Sequence, residues 1–113
     1  MKNWSVRFRQ VDKQMFDDTR EGLKQIETRA ATVKYKNIQP GDSITFACGK
    51  EKFTKLIKKT HHWASIDDML EEIPLHKIMP RVTSRAEAEK AYASYPGYKE
   101  KIREYGLIGL ELA

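Results

Sequence analysis

Apolar and polar residues alternate at the first patterned stretch: Trp4, Val6 and Phe8 stand against Ser5, Arg7 and Arg9. A period of two predicts a half-buried strand. The period then lengthens. Val11, Met15 and Phe16 share one side of a helical wheel, which predicts a helix from about Val11 with these three residues inward and Gly22 at its C-terminus. In "KQIETRAATV", Ile26 and Thr28 alternate with Glu27 and Arg29, a second strand. The proline-glycine turn of "NIQPGDSITFAC" leads into a third, with Ile44, Phe46 and Cys48 on one face. "FTKLIKKTHHW" stays ambiguous, because Phe53, Leu56, Ile57 and Thr60 fit a helix as well as a strand.

Helical signals dominate the second half. Ser65 followed by Asp68 opens "SIDDMLEEI", and Pro74 stops it. "HKIMPRVT" reads as a loop between prolines. Ser84 and Glu87 form a capping box for "SRAEAEKAYASY", which ends at Pro96-Gly97. A short helix "YKEKIREY" stops at Gly106. "LIGLELA" is apolar on both faces, which predicts a central strand. Strands interleaved with helices of unequal length, without regular βαβ spacing, predict an α+β fold with a small, curved, mostly antiparallel sheet.

Length and composition narrow the class. The 113 residues are expected to form a single domain, 1–113, with a modest core. Charged residues make up 33% and hydrophobic ones 40%, a globular balance. No apolar run approaches the ~20 residues of a membrane span. "MKNWSVRFRQ" places arginines where a signal peptide has its apolar stretch. One cysteine excludes an internal disulfide, so a cytoplasmic setting is the expectation. The net charge of +5 points to an anionic partner. It is unevenly spread: "KEKFTKLIKKTHHW" holds five lysines against one glutamate, and "ASIDDMLEEI" holds four carboxylates and no base.

Candidate chemistry follows from side-chain type and spacing. Cys48, His61, His62 and His76 lack CxxC or HExxH spacing, and neighbouring histidines on an extended segment point to opposite faces, so no metal is expected. Cys48 falls on a buried strand face, where a thiol behaves as a small hydrophobe. Arg7, Arg9, Lys24, Arg29 and lysines such as Lys50, Lys52 and Lys55 are suited to neutralising phosphates. Tyr92, Tyr95, Tyr98 and Trp63 offer faces on which unpaired bases stack, although Tyr92 and Tyr95 serve equally well as helix-packing residues.

The densest signal is "EGLKQIETRAAT". Glu27 and Arg29 share one strand face; Lys24 joins them only from the preceding turn or through a bulge. "GLKQIETR" has the form Gly-x-Lys-x-x-Glu-x-Arg where a helix hands over to a strand. With "IQPGDSITF" after it and "YPGYKEKIREYGLIGLELA" at the end, nearly the whole chain resembles the ASCH domain family of the PUA-like superfamily. "IPLHKIMP" is similar to a small single-domain bacterial and archaeal subgroup. The resemblance implies a small β-barrel with helices packed around it, a strand from Phe53, and a cleft lined by the motif. It also implies a link to RNA, either as a binding module or as a small enzyme acting on N4-acetylcytidine or on RNA.

The enzyme chemistry transfers only in part. The amidohydrolase type in that family uses the motif lysine, a threonine three residues later, and a glutamate after the next helix. Lys24 matches the first; Glu27 stands at the second, and Leu75 to Lys77 offer no carboxylate at the third. Glu71 and Glu72 lie on the preceding helix. A lysine serving as base or nucleophile needs a lowered pKa, and a neighbouring glutamate works against that. The expectation is therefore an RNA- or nucleotide-binding module without a cofactor or an obligate protein partner. Lys24 and Arg29 would contact phosphate, Glu27 would orient them, and Arg7, Arg9, Lys50, Lys52, Lys55 and Tyr98 would extend the surface. The alternatives are a metal-independent hydrolase of a modified nucleoside, with Lys24 and Glu27 as the working pair, and a protein adaptor using the acidic helix 65–73.

Overall fold

Alternation does what it predicts at the N-terminus. In the computed structural model, which describes residues 1–113, β1 (Asn3–Phe8) buries Val6 and Phe8. A 3-10 turn over Gln10–Asp12 then leads into α1 (Lys13–Glu21), which buries Phe16 completely. Val11 corrects the predicted inward face: it lies on the 3-10 turn, 79% exposed, because the tighter winding rotates it away from Phe16. Gly22 ends α1 with φ +85°, a left-handed turn that only glycine adopts readily.

Four further strands complete one sheet: β2 (Ile26–Ala30), β3 (Ser43–Cys48), β4 (Glu51–Trp63) and β5 (Leu107–Leu112). Their order is β1-β3-β4-β5-β2, with β1 parallel to β3 and every other pair antiparallel. The segment that periodicity left open is thus the longest strand. Its first half pairs with β3 and its second with β5, and the register slips between Ile57 and Lys59. Such an irregularity bends a strand, so β4 serves both halves of a strongly curled sheet. The result is an α+β half-barrel.

Apolar side chains divide into two clusters. One fills the curl, with Phe16, Ile44, Phe46, Ile57, Ile108 and Leu110. The other packs the opposite face of β2 and β5 against α2 (Ile66–Glu72), α3 (Leu75–Ile78), α4 (Arg85–Ala93) and α5 (Tyr98–Tyr105). β5 lies between β4 and β2 and feeds both: Ile108 and Leu110 go inward, Leu107 toward the helices. That is why its sequence is apolar on both faces. The predicted loop "HKIMPRVT" begins instead within the helical turn α3, whose Ile78 is fully buried. Ser65 and Ser84 accept the main-chain N–H of Asp68 and Glu87, as expected of helix caps. No helix is long and apolar enough to cross a membrane.

Candidate functional site

The curl does not close through hydrogen bonds. β1 and β2 are the two edges of the sheet, and side chains bridge the gap between them: the Arg29 guanidinium lies over the Phe8 ring, 5.5 Å from its centroid. At this seam opens a cleft of about 200 Å³. Residues of β1, β2, the turn after α1 and the α4–α5 connection line it. The volume lies below the ~300–1,000 Å³ of pockets for drug-sized ligands and suits one small planar group.

Glu27 and Arg29 stand opposite Leu110 and Ile108 in the β2–β5 register, so both project into the curl. Lys24 reaches the same place from the turn before β2, not from a bulge. Its chain follows the Gly22 turn, its main-chain N–H donates to Asp18 O at 3.1 Å, and its side chain folds back. Lys24 Nζ donates to Glu27 Oε1 at 2.9 Å and to the Ile26 carbonyl at 2.6 Å. Arg29 Nε donates to the other carboxylate oxygen at 2.7 Å. Lys24 and Glu27 are each 3% exposed, Arg29 20%. All three motif charges therefore meet on one carboxylate.

Electrostatics follow from that arrangement. Burial pushes the Glu27 carboxyl up, but the charges and hydrogen bonds of Lys24 and Arg29 outweigh it and hold it below the ordinary glutamate value. Burial likewise opposes the charge on Arg29, and Glu27 more than offsets this, so the guanidinium is held above its usual value. Glu27 is thus ionised and engaged on both oxygens. A carboxylate in that state is a weak proton acceptor.

Aromatic rings form the far wall. Thr28 Oγ1 and the Tyr92 hydroxyl lie 2.5 Å apart, both buried. The Tyr98 hydroxyl accepts the Ala30 N–H at 2.8 Å. Tyr95 packs 5.4 Å from Tyr98 between centroids, and the Arg9 guanidinium covers its ring at 4.6 Å. Burial pushes the Tyr98 phenol up to about 12 and raises those of Tyr92 and Tyr95, so all three carry their protons at neutral pH. Tyr92 is 3% exposed and acts as a packing residue; Tyr95 and Tyr98 present their rings to the cleft.

The other predicted residues scatter. Arg7 and Arg9 reach the cleft, where Arg9 Nε is paired with Asp12 at 2.7 Å and Arg7 donates to Gly49 O at 3.1 Å. Lys50, Lys52 and Lys55 do not. Lys52 lines a separate groove with Arg7 and Lys34, on the outer face of β1 and β3. Lys55 stands opposite Ile44 on β3, and Lys50 belongs to the β3–β4 turn. The basic run lies on β4, whereas the cleft opens at the β1–β2 seam, and sequence order carries no information about that separation. Trp63 is withdrawn as a stacking face: it is buried, its Nε1 donates to Glu72, and its ring stacks on His61.

Of the histidines, His61 faces inward between Glu72 and Glu111, at 3.4 and 2.6 Å, while His62 is exposed. Cys48 is 1% exposed within the core. Asp12, Met15, Thr28 and Met79 line the cleft without having been singled out. Thr28 lies inside the eight-residue motif but at one of its variable positions, so the spacing carried no signal for it.

Two of the solved structures that match this chain do so along nearly its full length. The hypothetical protein PH0355, a crystal structure, superposes with a TM-score of 0.84 at 28% identity, over 99% of this chain and 97% of that one. Protein PF0455 from Pyrococcus furiosus, solved by NMR in solution, gives 0.76 at 26% identity, over 97% and 94%. No family model matches this sequence, and no curated protein does. The chain is therefore similar in fold, from end to end, to two small proteins whose descriptions name no activity.

Proposed function

We propose that this is an RNA- or nucleotide-binding module of ASCH type whose cleft holds one unpaired base. The observation that carries the reading is the joining of a largely buried charge cluster, in which one carboxylate holds two cations and leaves a net charge of about +1, to two half-buried tyrosine rings and two further arginines at one small opening. Aromatic faces accept any base, and arginines hold the flanking phosphate or stack on the base plane. Lys24, with its charge spent on Glu27 and the Ile26 carbonyl, shapes the cleft floor; Arg7, Arg9 and Arg29 supply the outward positive charge. Hydrolysis with Glu27 as base is the weaker reading, because two cations occupy both oxygens of that carboxylate and lower its basicity.

The test is the binding of a fluorescein-labelled single-stranded RNA at salt concentrations from roughly 50 to 200 mM, followed by anisotropy. Affinity is expected to fall steeply with salt. Arg7→Ala and Arg9→Ala should each reduce the slope of log K against log salt by about 0.7, the value for one lost phosphate contact on a single strand. Absence of binding at the lowest salt, or slopes unchanged in both variants, overturns the proposal. Release of acetate from N4-acetylcytidine by the wild type but not by Lys24→Ala would favour the hydrolase instead.

A further inference from the structure

The free edge of β2 holds the second observation. Ala31 N–H donates to Gly106 O and Leu112 N–H to Gln25 O, both across to the β5 side. Main-chain groups of an antiparallel strand alternate in direction, so the odd-numbered residues of β2 bond to β5 and the even-numbered ones face the cleft edge. Two of these even positions are satisfied by side chains. Lys24 Nζ caps the Ile26 carbonyl at 2.6 Å, and the Tyr98 hydroxyl takes the Ala30 N–H at 2.8 Å. The Ala30 carbonyl accepts from Thr32 N–H at 2.8 Å. Between them stands Thr28, which lines the cleft at only 8% exposure and whose N–H and C=O meet no side chain or loop. A main-chain donor and acceptor so enclosed are rarely left without a partner.

We propose that the main chain of Thr28 reads the base: its N–H donates to, and its C=O accepts from, an adjacent acceptor and N–H on one nucleobase edge. The proposal rests on the nucleic-acid reading of the cleft. Every nucleobase carries such an acceptor–donor pair, in lactam or amidine form, and one strand residue with both groups turned the same way offers its complement. Tyr95 and Tyr98 supply the stacking face. An extended peptide is the other ligand an open strand edge takes, and it needs successive free positions two residues apart. Lys24 and Tyr98 cut this edge to one full position, Thr28, which limits it to a single planar group.

The experiment is a titration of ¹⁵N-labelled wild-type protein with UMP, GMP, CMP and AMP. Each is paired with its analogue methylated at the edge N–H: N3-methyl-UMP, N1-methyl-GMP, N4,N4-dimethyl-CMP and N6,N6-dimethyl-AMP. With a parent nucleotide that binds, the Thr28 amide proton is expected to move downfield, as a newly hydrogen-bonded amide does. Its blocked partner should bind about tenfold or more weakly and leave that resonance in place. Binding that shifts Tyr95 and Tyr98 ring signals while Thr28 stays still, or equal binding of parent and blocked nucleotide, overturns the Thr28 assignment and leaves the nucleotide cleft standing. If no nucleotide and no RNA binds, the nucleic-acid reading falls and takes this inference with it.

Discussion

At the scale of single residues, Glu27 is the pivot. Each carboxylate oxygen holds one cation, so removing the charge strands two positive groups in a nearly dry place. Breaking a buried pair by deleting one partner costs about 3–5 kcal/mol. Glu27→Gln is therefore expected to lower unfolding free energy by that amount at neutral pH, measured by urea titration. The pH dependence has a definite sign. A carboxyl held below its unfolded value of 4.5 contributes stability that is full above that value and is lost as pH falls through the folded value. The wild type should thus lose stability below about pH 4.5, and Glu27→Gln should lose less of it over the same range. Asp42 behaves alike: it accepts the main-chain N–H of Lys2, the Trp4 indole N–H and the Gln39 N–H, which hold its carboxyl down at about 2. Asp42→Asn should flatten the acid limb between about pH 4 and 2, as followed by circular dichroism.

At the scale of elements, a tight fit lies where β5 crosses the end of β4. A Cβ on Gly109 would lie 2.5 Å from the Trp63 ring, and Trp63 is itself buried and tied to Glu72. Gly109→Ala should destabilise by roughly 1–3 kcal/mol through overpacking, with a change in tryptophan fluorescence marking the displaced ring. Gly106, at φ +76°, precedes the strand where a Cβ would meet the Trp63 carbonyl at 2.5 Å, so alanine there is opposed by both backbone conformation and space. The helix caps are milder: Ser84→Ala is expected to cost about 1 kcal/mol in a thermal or urea melt. These elements were the most legible part of the sequence, because capping side chains and strand alternation act within a few residues. The two failures have local causes. Val11 sat on a helical pattern that a 3-10 turn rotates, and α3 is one turn long, too short for periodicity to register.

At the scale of the molecule, the cleft exists because the sheet curls without closing. β1 and β2, at opposite ends of the strand order, come face to face only through the bend in β4 and the packing of Phe16, Phe46 and Phe53 inside the curl. Tyr95 and Tyr98 arrive from the far end of the sequence, with the Tyr98 hydroxyl anchored on the Ala30 N–H. Tyr98→Phe should leave that amide without its partner and loosen the aromatic wall. Faster hydrogen exchange at Ala30, with global stability reduced by about 1–3 kcal/mol, is the expected outcome.

The sequence alone determined what local rules govern: the α+β class, nearly every element, both helix caps, the buried strand face of Cys48 and the placing of Glu27 and Arg29 on one strand face. All of these rest on interactions between residues close along the chain. Only the tertiary structure decided that the lysine run of β4 lies away from the cleft, that Trp63 is a packing residue, and that the charge of Lys24 is consumed inside. It also decided that the Thr28 main chain is left facing the opening. Those outcomes depend on which strands become edges and how far the sheet curls. Both are set by packing between residues tens of positions apart, where periodicity and spacing carry no signal.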